Sequence, residues 1–163
     1  MSKIAVVYWS GTGNTEAMAA KVEEGAKESG ADVTVFTASD FNSELMDGFD
    51  AIAFGCPSMG AEELEESEFE PMFSDCKSKL NGKKIALFGS YGWGDGEWMR
   101  TWEQDCKNCG AFLVCESVIC NESPDCLLYT SSALVCASSS TKISFGLRLS
   151  AASRSNSLSC MLL

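Results

Sequence analysis

The chain contains no histidine among its 163 residues, and this absence removes several classes of enzyme. Histidine is the commonest general base in proteins, and it completes the Ser-His and Cys-His nucleophile systems and most catalytic zinc sites. Clusters of Lys and Arg are also missing, and the formal net charge is -11. Because nucleic acid is held by clustered basic side chains, no nucleic-acid partner is expected. An acidic protein that docks on basic patches of other proteins agrees better with this charge.

Long apolar runs are missing as well, since no stretch reaches the roughly 20 apolar residues that span a bilayer. The short apolar run after Lys3 is interrupted by glycines and does not resemble a signal peptide. We therefore expect a cytoplasmic protein with no membrane partner. Nine cysteines do not change this expectation, because an odd number in a long acidic chain is atypical of secreted disulfide scaffolds.

Cys106 and Cys109 have the spacing of a redox or metal pair. A zinc site would need a second pair, which the chain does not offer at a matching spacing. The two cysteines also lie where a helix should end, whereas reactive thiolates are usually made at helix starts. A structural role is therefore predicted for both.

The most informative segment that is present is a glycine loop, Ser10–Thr15, between an apolar strand and a helix. Such a loop exposes backbone N–H groups beside a helix N-terminus, and its hydroxyl and amide side chains add further donors. It has no lysine, which a nucleotide-triphosphatase loop requires, and Glu16 stands where a dinucleotide fingerprint needs a third glycine. The pattern predicts a site for one terminal phosphate without a metal ion. An ordinary strand-to-helix turn is the alternative.

Apolar runs and helical periodicity alternate along the first 125 residues. Strands are predicted over Ile4–Tyr8, Asp32–Phe36, Asp50–Gly55, Lys84–Ser90 and Ala111–Ile119. Helices are predicted over Thr15–Ser29, Leu64–Lys79 and Glu97–Asn108, with a loop or short helix around Asn42–Met46. Pro71 is expected to kink the second helix or to mark its first turn. This alternation predicts an α/β fold with a parallel sheet.

Three loops are expected to converge at the carboxyl ends of the strands, where ligands bind in such sheets. These loops are Ser10–Thr15, Cys56–Glu63 and Ser90–Glu97. Trp93 lies between Gly92 and Gly94, which leaves its ring free to project and to stack on a flat aromatic ligand. Met59 of the opposite loop is placed to pack from the other side. A position of Trp93 in the core is the alternative.

Three motifs in this order, Tyr8–Ala19, Cys56–Leu64 and Phe88–Gly94, closely resemble the short-chain flavodoxins of anaerobic bacteria. The resemblance covers about residues 2–125. It implies a flavodoxin-like, doubly wound sheet of five parallel strands in the order 2-1-3-4-5, with a fifth strand that runs without interruption into Asn121 and Glu122. It also implies an electron-transfer protein, rather than an enzyme, that binds one FMN and shuttles low-potential single electrons between redox enzymes.

The resemblance also implies roles for the loop residues. The Ser10–Thr15 loop would hold the 5′-phosphate, and Trp93 and Met59 would cover the two faces of the isoalloxazine ring. The peptide at Gly60 would flip on reduction so that its carbonyl accepts a hydrogen bond from flavin N5, and Glu62 would accept one from flavin N3. The expected cofactor-binding residues are Ser10, Gly11, Thr12, Gly13, Asn14, Thr15, Pro57, Ser58, Met59, Gly60, Glu62, Ser90, Tyr91, Gly92, Trp93, Gly94 and Asn121. No catalytic residue and no metal ligand is expected.

An acidic run follows the second loop and comprises Glu62, Glu63, Glu65, Glu66, Glu68 and Glu70. Charges close to the flavin would lower its reduction potential, and the same surface would steer basic partners. Replacing Glu65, Glu66 and Glu68 by Gln is therefore predicted to raise the potential of the reduced flavin. The alternative for the residues beyond Glu63 is an ordinary solvated helix face.

The composition changes after Asp125. Residues 126–163 contain eleven Ser and no Asp or Glu, and they show neither a helical nor a strand period. Their first six residues resemble the translated end of a transposon used to prepare sequencing libraries. We predict an FMN-binding domain over 1–125 that lacks its final helix, which would leave one sheet face without a cover. The non-homologous serine-rich tail, 126–163, is interpreted as a sequencing or assembly artefact or as a disordered natural extension.

Two other functions stay open at this point. A flavin-dependent NAD(P)H or quinone reductase of the same fold would need extra segments for its second substrate, and the first 125 residues have no spare length for them. A binding domain that no longer holds flavin is the second alternative, because the last helix is not predicted. If the chain is a carrier, we expect a monomer whose partners are oxidoreductases of the ferredoxin and flavodoxin type with basic patches.

Overall fold

Strands and helices alternate along the chain in a computed structural model that describes residues 1–122 and 124. The strands are β1 Lys3–Tyr8, β2 Asp32–Thr37, β3 Ala51–Gly55, β4 Lys84–Tyr91, β5 Phe112–Leu113 and β6 Val118–Asn121. The helices are α1 Asn14–Glu28, α2 Phe69–Lys77 and α3 Glu97–Asn108, and short 3-10 turns cover Ala38–Asp40 and Leu45–Gly48. The predicted α/β fold is confirmed. None of these helices is long and apolar enough to cross a bilayer.

All strands of the sheet pair in parallel. Their order is β2-β1-β3-β4-β5, and β6 also pairs with β4. In the centre of the sheet, Val6 of β1 lies opposite Val35 of β2 and Ala53 of β3. The predicted strand order 2-1-3-4-5 is therefore confirmed, and the carboxyl ends of β1, β3 and β4 lie side by side.

The predicted continuous strand over Ala111–Ile119 is wrong, because the fifth position of the sheet is filled by two short strands. β5 pairs with the start of β4, and β6 pairs with its end. Between them, Ser117 donates hydrogen bonds from its N–H and its hydroxyl to the carboxylate of Glu103 in α3. These bonds hold Ser117 against α3, and the ladder with β4 is interrupted after Val114, whose N–H still donates to Ile85 O over 2.9 Å.

The second helix also differs from its prediction, since α2 begins at Phe69 rather than at Leu64. Pro71 is the third residue of α2 and therefore lies in its first turn, as one of the two predicted positions required. A first-turn residue has no intrahelical N–H partner, so proline costs no hydrogen bond there. The residues before Phe69 form a turn around the carboxylate of Glu65, which is described below.

The two faces of the sheet are packed differently. Towards α2 and α3, strand residues such as Phe54 and Leu87 pack with a cluster of aromatic side chains. Towards α1, smaller residues such as Ala53 and Ala86 pack against Met18. Among residues 1–122 and 124, α1 is the only helix on this second face. The predictions that a final helix is missing, and that residues 126–163 are a non-homologous tail, lie outside the described residues.

The Cys106–Cys109 pair lies at the end of α3, as predicted. Cys106 is fully buried in the aromatic core, and Cys109 follows the last residue of the helix. Burial raises the pKa of the Cys106 thiol to about 12. A thiol that stays protonated is a poor nucleophile and a poor metal ligand, which supports the structural role.

Candidate cofactor site

A cavity of about 260 Å³ opens at the carboxyl ends of β1, β3 and β4, where the three loops meet. Nine of the predicted site residues line it: Gly11, Thr12, Asn14, Pro57, Ser58, Met59, Ser90, Tyr91 and Gly92. Trp9 and Glu122 line it too, and neither was among the predicted residues. The other predicted residues, Ser10, Gly13, Thr15, Gly60, Glu62, Trp93, Gly94 and Asn121, lie in or next to the same loops without lining the cavity.

The first loop presents the start of α1 to the cavity. Gly13 takes the position before the helix with a φ of 93°, and it has no side chain that could cap the first N–H groups. The N–H of Gly13 donates to Ser10 Oγ over 3.1 Å, which closes the loop. Thr15 Oγ1 and Ser90 Oγ lie 3.1 Å apart in the interior and tie the first loop to the end of β4. Ser10 and Thr15 thus shape a cradle of uncharged donors at the positive end of a helix.

One buried polar atom beside the cavity has no protein partner. Ser58 Oγ makes no hydrogen bond to any residue that the structure describes. An unsatisfied buried hydroxyl costs about 1–3 kcal/mol, and native structures rarely tolerate one without a ligand or water. Together with the neutral donors of the first loop, this hydroxyl fits a polar ligand that carries a phosphate, and FMN is such a ligand.

Trp93 projects from the third loop, and its side chain is 60% exposed. The alternative that Trp93 belongs to the core is therefore wrong. Gly94 after it has a φ of 88°, a conformation that strongly favours glycine. Met59 of the second loop is 37% exposed. The stacking of Trp93 and Met59 on a flat ring stays a prediction.

The second loop is a tight hairpin. Met59 and Glu63 exchange two backbone hydrogen bonds of 2.9 Å. Within the hairpin Gly60 has a φ of 48° and Glu62 a φ of 58°. A side chain at position 60 would meet no atom within 4 Å, so the backbone conformation, and not space, explains the glycine there.

Glu62 is held by the third loop. Its Oε1 accepts hydrogen bonds from the N–H groups of Gly96 and Glu97, over 3.1 and 3.0 Å. The sequence shows no sign of this contact, because 34 residues separate Glu62 from Gly96. The expected bond from flavin N3 to Glu62 stays a prediction.

Glu122 and Trp9 reach the cavity from strand ends. The register of β6 places Asn121 opposite Tyr91, and Glu122 N then donates to Tyr91 O over 2.7 Å with a φ of 55° at Glu122. Trp9 follows β1 directly, and its ring fills the space beside Gly11, where a Cβ would lie 2.8 Å from it. The sequence could have indicated Trp9 as a site residue, because it is an aromatic residue directly before the glycine loop. The position of Glu122 could not be read from the sequence, because it depends on the break between β5 and β6.

The acidic run is not uniform. Glu65 is only 6% exposed, and its carboxylate accepts hydrogen bonds from the N–H and hydroxyl of Ser67 and from the N–H groups of Glu68 and Phe69. Burial alone would raise the pKa of Glu65, but these four hydrogen bonds outweigh it and lower the pKa to about 2. The interpretation of Glu65 as a surface charge or solvated helix face is therefore wrong, because its carboxylate caps α2.

A second, larger cavity of about 840 Å³ lies between α2 and α3. Six carboxylates line this acidic groove: Glu62, Glu63, Glu66, Glu70, Glu97 and Asp105. Its two basic residues are both in ion pairs of 2.7 Å, Lys77 with Asp105 and Arg100 with Asp95. The groove therefore presents excess negative charge next to the Met59–Glu63 hairpin.

Comparisons with known proteins agree with this geometry. The family model described as Flavodoxin matches residues 6–132. The flavodoxin of Megasphaera elsdenii is 51% identical over 122 residues, which cover 75% of this chain and 88% of that protein. The flavodoxin of Clostridium beijerinckii is 49% identical over 120 residues, which cover 74% and 87%. The solution structure of two-electron reduced Megasphaera elsdenii flavodoxin superposes with a TM-score of 0.77 at 46% identity, covering 83% of this chain and 99% of that one. The chain belongs to the flavodoxin family.

Proposed function

We propose that the three converging loops hold FMN and that the chain carries single low-potential electrons on it. Flavodoxins bind FMN and are electron-transfer proteins rather than enzymes. The observation that carries the assignment of the site is the cavity at which the loop before α1 meets the second and third loops, with Trp93 exposed on the third loop. One end of this site suits a flat ring, and the other suits a phosphate.

Each loop would contribute a different interaction. Backbone and side-chain donors of the Ser10–Thr15 loop would bind the phosphate, with Ser10 and Thr15 acting through the contacts that shape the loop. Ser58 Oγ would find the hydrogen-bond partner that the protein does not provide. Backbone groups of Tyr91, Gly92 and Asn121 would line the edge of the ring system.

FMN supplies the reversible uptake of electrons, and the surrounding residues set how easily it occurs. Trp93 and Met59 would exclude water from the ring and remove the reduced flavin from bulk solvent. Glu62 places a carboxylate between the second and third loops, where it bonds to the N–H of Gly96. Negative charge and low polarity near the ring both disfavour added electron density, so these groups would lower the reduction potential.

The acidic groove is the surface that suits a redox partner. Its paired cations leave a net negative surface, and Glu62 and Glu63 join the groove to the flavin loops. Opposite charge on an oxidoreductase would raise the rate of encounter, and salt would screen the attraction. We further propose that the chain acts as a cytoplasmic monomer, since a carrier that visits several partners needs this face unobstructed.

A fluorescence titration tests the cofactor assignment. Adding FMN to the full chain should quench tryptophan and flavin emission together, because electron transfer between stacked rings deactivates either excited state without emission. Trp93→Ala should abolish most of the quenching and weaken binding about tenfold or more. Phe112→Ala is the matched control, because Phe112 is 63% exposed and lies in β5, away from the cavity. Absence of quenching at micromolar FMN in the unmodified chain would leave the flavin-free binding domain as the better assignment.

A further inference from the structure

The N-terminus of α3 is capped from another loop. Gly96, the residue before the helix, has a φ of 89° and no side chain to offer its first N–H groups. Glu62 provides the missing acceptor, since its Oε1 binds the N–H groups of Gly96 and Glu97. A carboxylate at this end of a helix also interacts favourably with the helix dipole. We call this pair of hydrogen bonds the Glu62 latch.

Gly94 makes room for the latch. A Cβ at position 94 would lie 2.5 Å from both Cδ and Oε1 of Glu62, far inside van der Waals contact. Gly94 therefore satisfies two separate demands, a φ of 88° and an empty space that the Glu62 carboxylate fills. Gly30 has nearly the same φ, 87°, but nothing lies within 4 Å of a Cβ built on it.

The latch involves the Met59–Glu63 hairpin, which borders the proposed site. Two backbone bonds between Met59 and Glu63 close the hairpin, and Gly60 lies two residues before Glu62. Fixing Glu62 on α3 therefore fixes the direction in which the hairpin presents Met59 and the Gly60 peptide. A binding loop that is ordered in advance loses less entropy when its ligand arrives.

We propose that Glu62 and Gly94 are positioning residues, which latch the Met59–Glu63 hairpin to α3 before the cofactor binds. The consequence for FMN affinity rests on the proposed function, whereas the latch itself does not. Glu62 then has a role in the cofactor-free protein, and Gly94 acts through the space it leaves and not through any contact with the ligand.

Amide exchange in the FMN-free full chain tests the latch directly. Glu62→Ala and Gly94→Ala should each speed the exchange of the Gly96 and Glu97 amides about tenfold or more, because these N–H groups lose a charged acceptor. Glu62→Gln keeps an oxygen acceptor and should largely preserve slow exchange. Gly30→Ala introduces the same backbone strain without a collision and should leave both amides unchanged.

A double variant separates the collision from general destabilisation. Once Glu62→Ala has removed the carboxylate, adding Gly94→Ala should have little further effect on the two amides, so the two changes should be strongly non-additive. Independent, additive effects would overturn the proposal, as would unchanged exchange of Gly96 and Glu97 in Glu62→Ala.

Cofactor titration then links the latch to function. Gly94→Ala should weaken FMN binding about tenfold relative to Gly30→Ala, and Glu62→Gln should restore most of the affinity that Glu62→Ala loses. Equal FMN affinity in Gly94→Ala and Gly30→Ala would overturn the positioning role. If the unmodified chain binds no FMN while the amides respond as expected, the proposed function fails and the latch stands.

Discussion

Helices α2 and α3 both begin without a cap from the residue that precedes them, and each depends on a glutamate of the same acidic run. Glu65 caps α2 from within the adjoining turn, is buried, and accepts four hydrogen bonds. Glu62 caps α3 from a separate loop, is half-buried, and accepts two. Two glutamates three positions apart thus each cap the N-terminus of a helix, one from within the adjoining turn and one from 34 residues away in the chain.

The difference concerns what each cap joins. Glu65 closes a local turn whose ends are already neighbours, so its hydrogen bonds contribute mainly to stability. Its own N–H donates to Cys56 Sγ over 3.4 Å, which joins the segment after the second loop to the first residue of that loop. Glu62 instead joins two loops at the proposed flavin site, so its contribution should be found mainly in cofactor binding.

The largest effect is expected on the free energy of unfolding when the Glu65 cap is removed. Glu65→Ala should lower the free energy of unfolding by about 3 kcal/mol, because the donors of Ser67, Glu68 and Phe69 lose a charged and buried acceptor. Urea unfolding of the FMN-free chain measures it. Glu66→Ala is the matched control, since this exposed neighbour should change stability by less than about 0.5 kcal/mol. Equal effects of the two variants would show that the Glu65 cap is unimportant.

The contribution of the Glu65 cap to the free energy of unfolding should depend on pH. The pKa of Glu65 is lowered in the folded protein to about 2, from an ordinary value of 4.5. A lowered pKa contributes stability that is complete above the unfolded value and is lost as the pH falls through the folded one. The stability difference between the unmodified chain and Glu65→Gln should therefore shrink by about 3 kcal/mol between pH about 5 and pH about 2.

Subtracting the two profiles isolates Glu65. Asp47, Asp75 and Glu103 also have lowered pKa values through hydrogen bonds in the folded protein, but they are present in both chains. A difference that stays constant over this range would mean that Glu65 titrates at its ordinary pKa, and the four hydrogen bonds would then not hold the charged form.

Much of the fold could be predicted because it depends on local patterns. The extents of α1 and α3 and the exposure of Trp93 follow from helical periodicity and flanking glycines, whereas the strand order was implied by the resemblance to short-chain flavodoxins. The start of α2 and the break in the fifth strand could not be predicted in this way. In both places the carboxylate of one glutamate, Glu65 or Glu103, accepts hydrogen bonds from backbone N–H groups. Helical or strand periodicity alone would predict that these N–H groups bond to backbone carbonyls.

In the proposed site, too, residues marked by local motifs could be predicted, whereas long-range contacts could not. Glycines and hydroxyl residues marked the first loop, and nine of the predicted residues do line the cavity. Glu122 was missed because it reaches the cavity only through the register of β6 with Tyr91. The latch between Glu62 and α3 was missed because nothing in either segment alone indicates a partner 34 residues away.

A smaller effect is expected when the distant cap is removed. Glu62→Ala should lower the free energy of unfolding of the FMN-free chain by about 1 kcal/mol, since its two hydrogen bonds lie near solvent. For each kcal/mol of unfolding free energy that is lost, Glu62→Ala should lose more FMN affinity than Glu65→Ala does. Measuring unfolding and FMN titration on both variants gives this ratio. The same ratio for both would mean that the two caps do not differ in function.

The smallest effect should come from the exposed part of the acidic run. Glu66→Gln with Glu68→Gln should raise the reduction potential by about 20 mV or less at low salt, because exposed charges are weakened by water and by counter-ions. Glu65 must stay unchanged in this experiment, since its loss would alter the α2 cap and mix a folding effect with a charge effect. High salt should remove the shift, whereas a shift that survives high salt would indicate a charge closer to the flavin than a solvated surface allows. Potentiometric titration at two salt concentrations therefore separates the charge of the run from the structure that one of its members maintains.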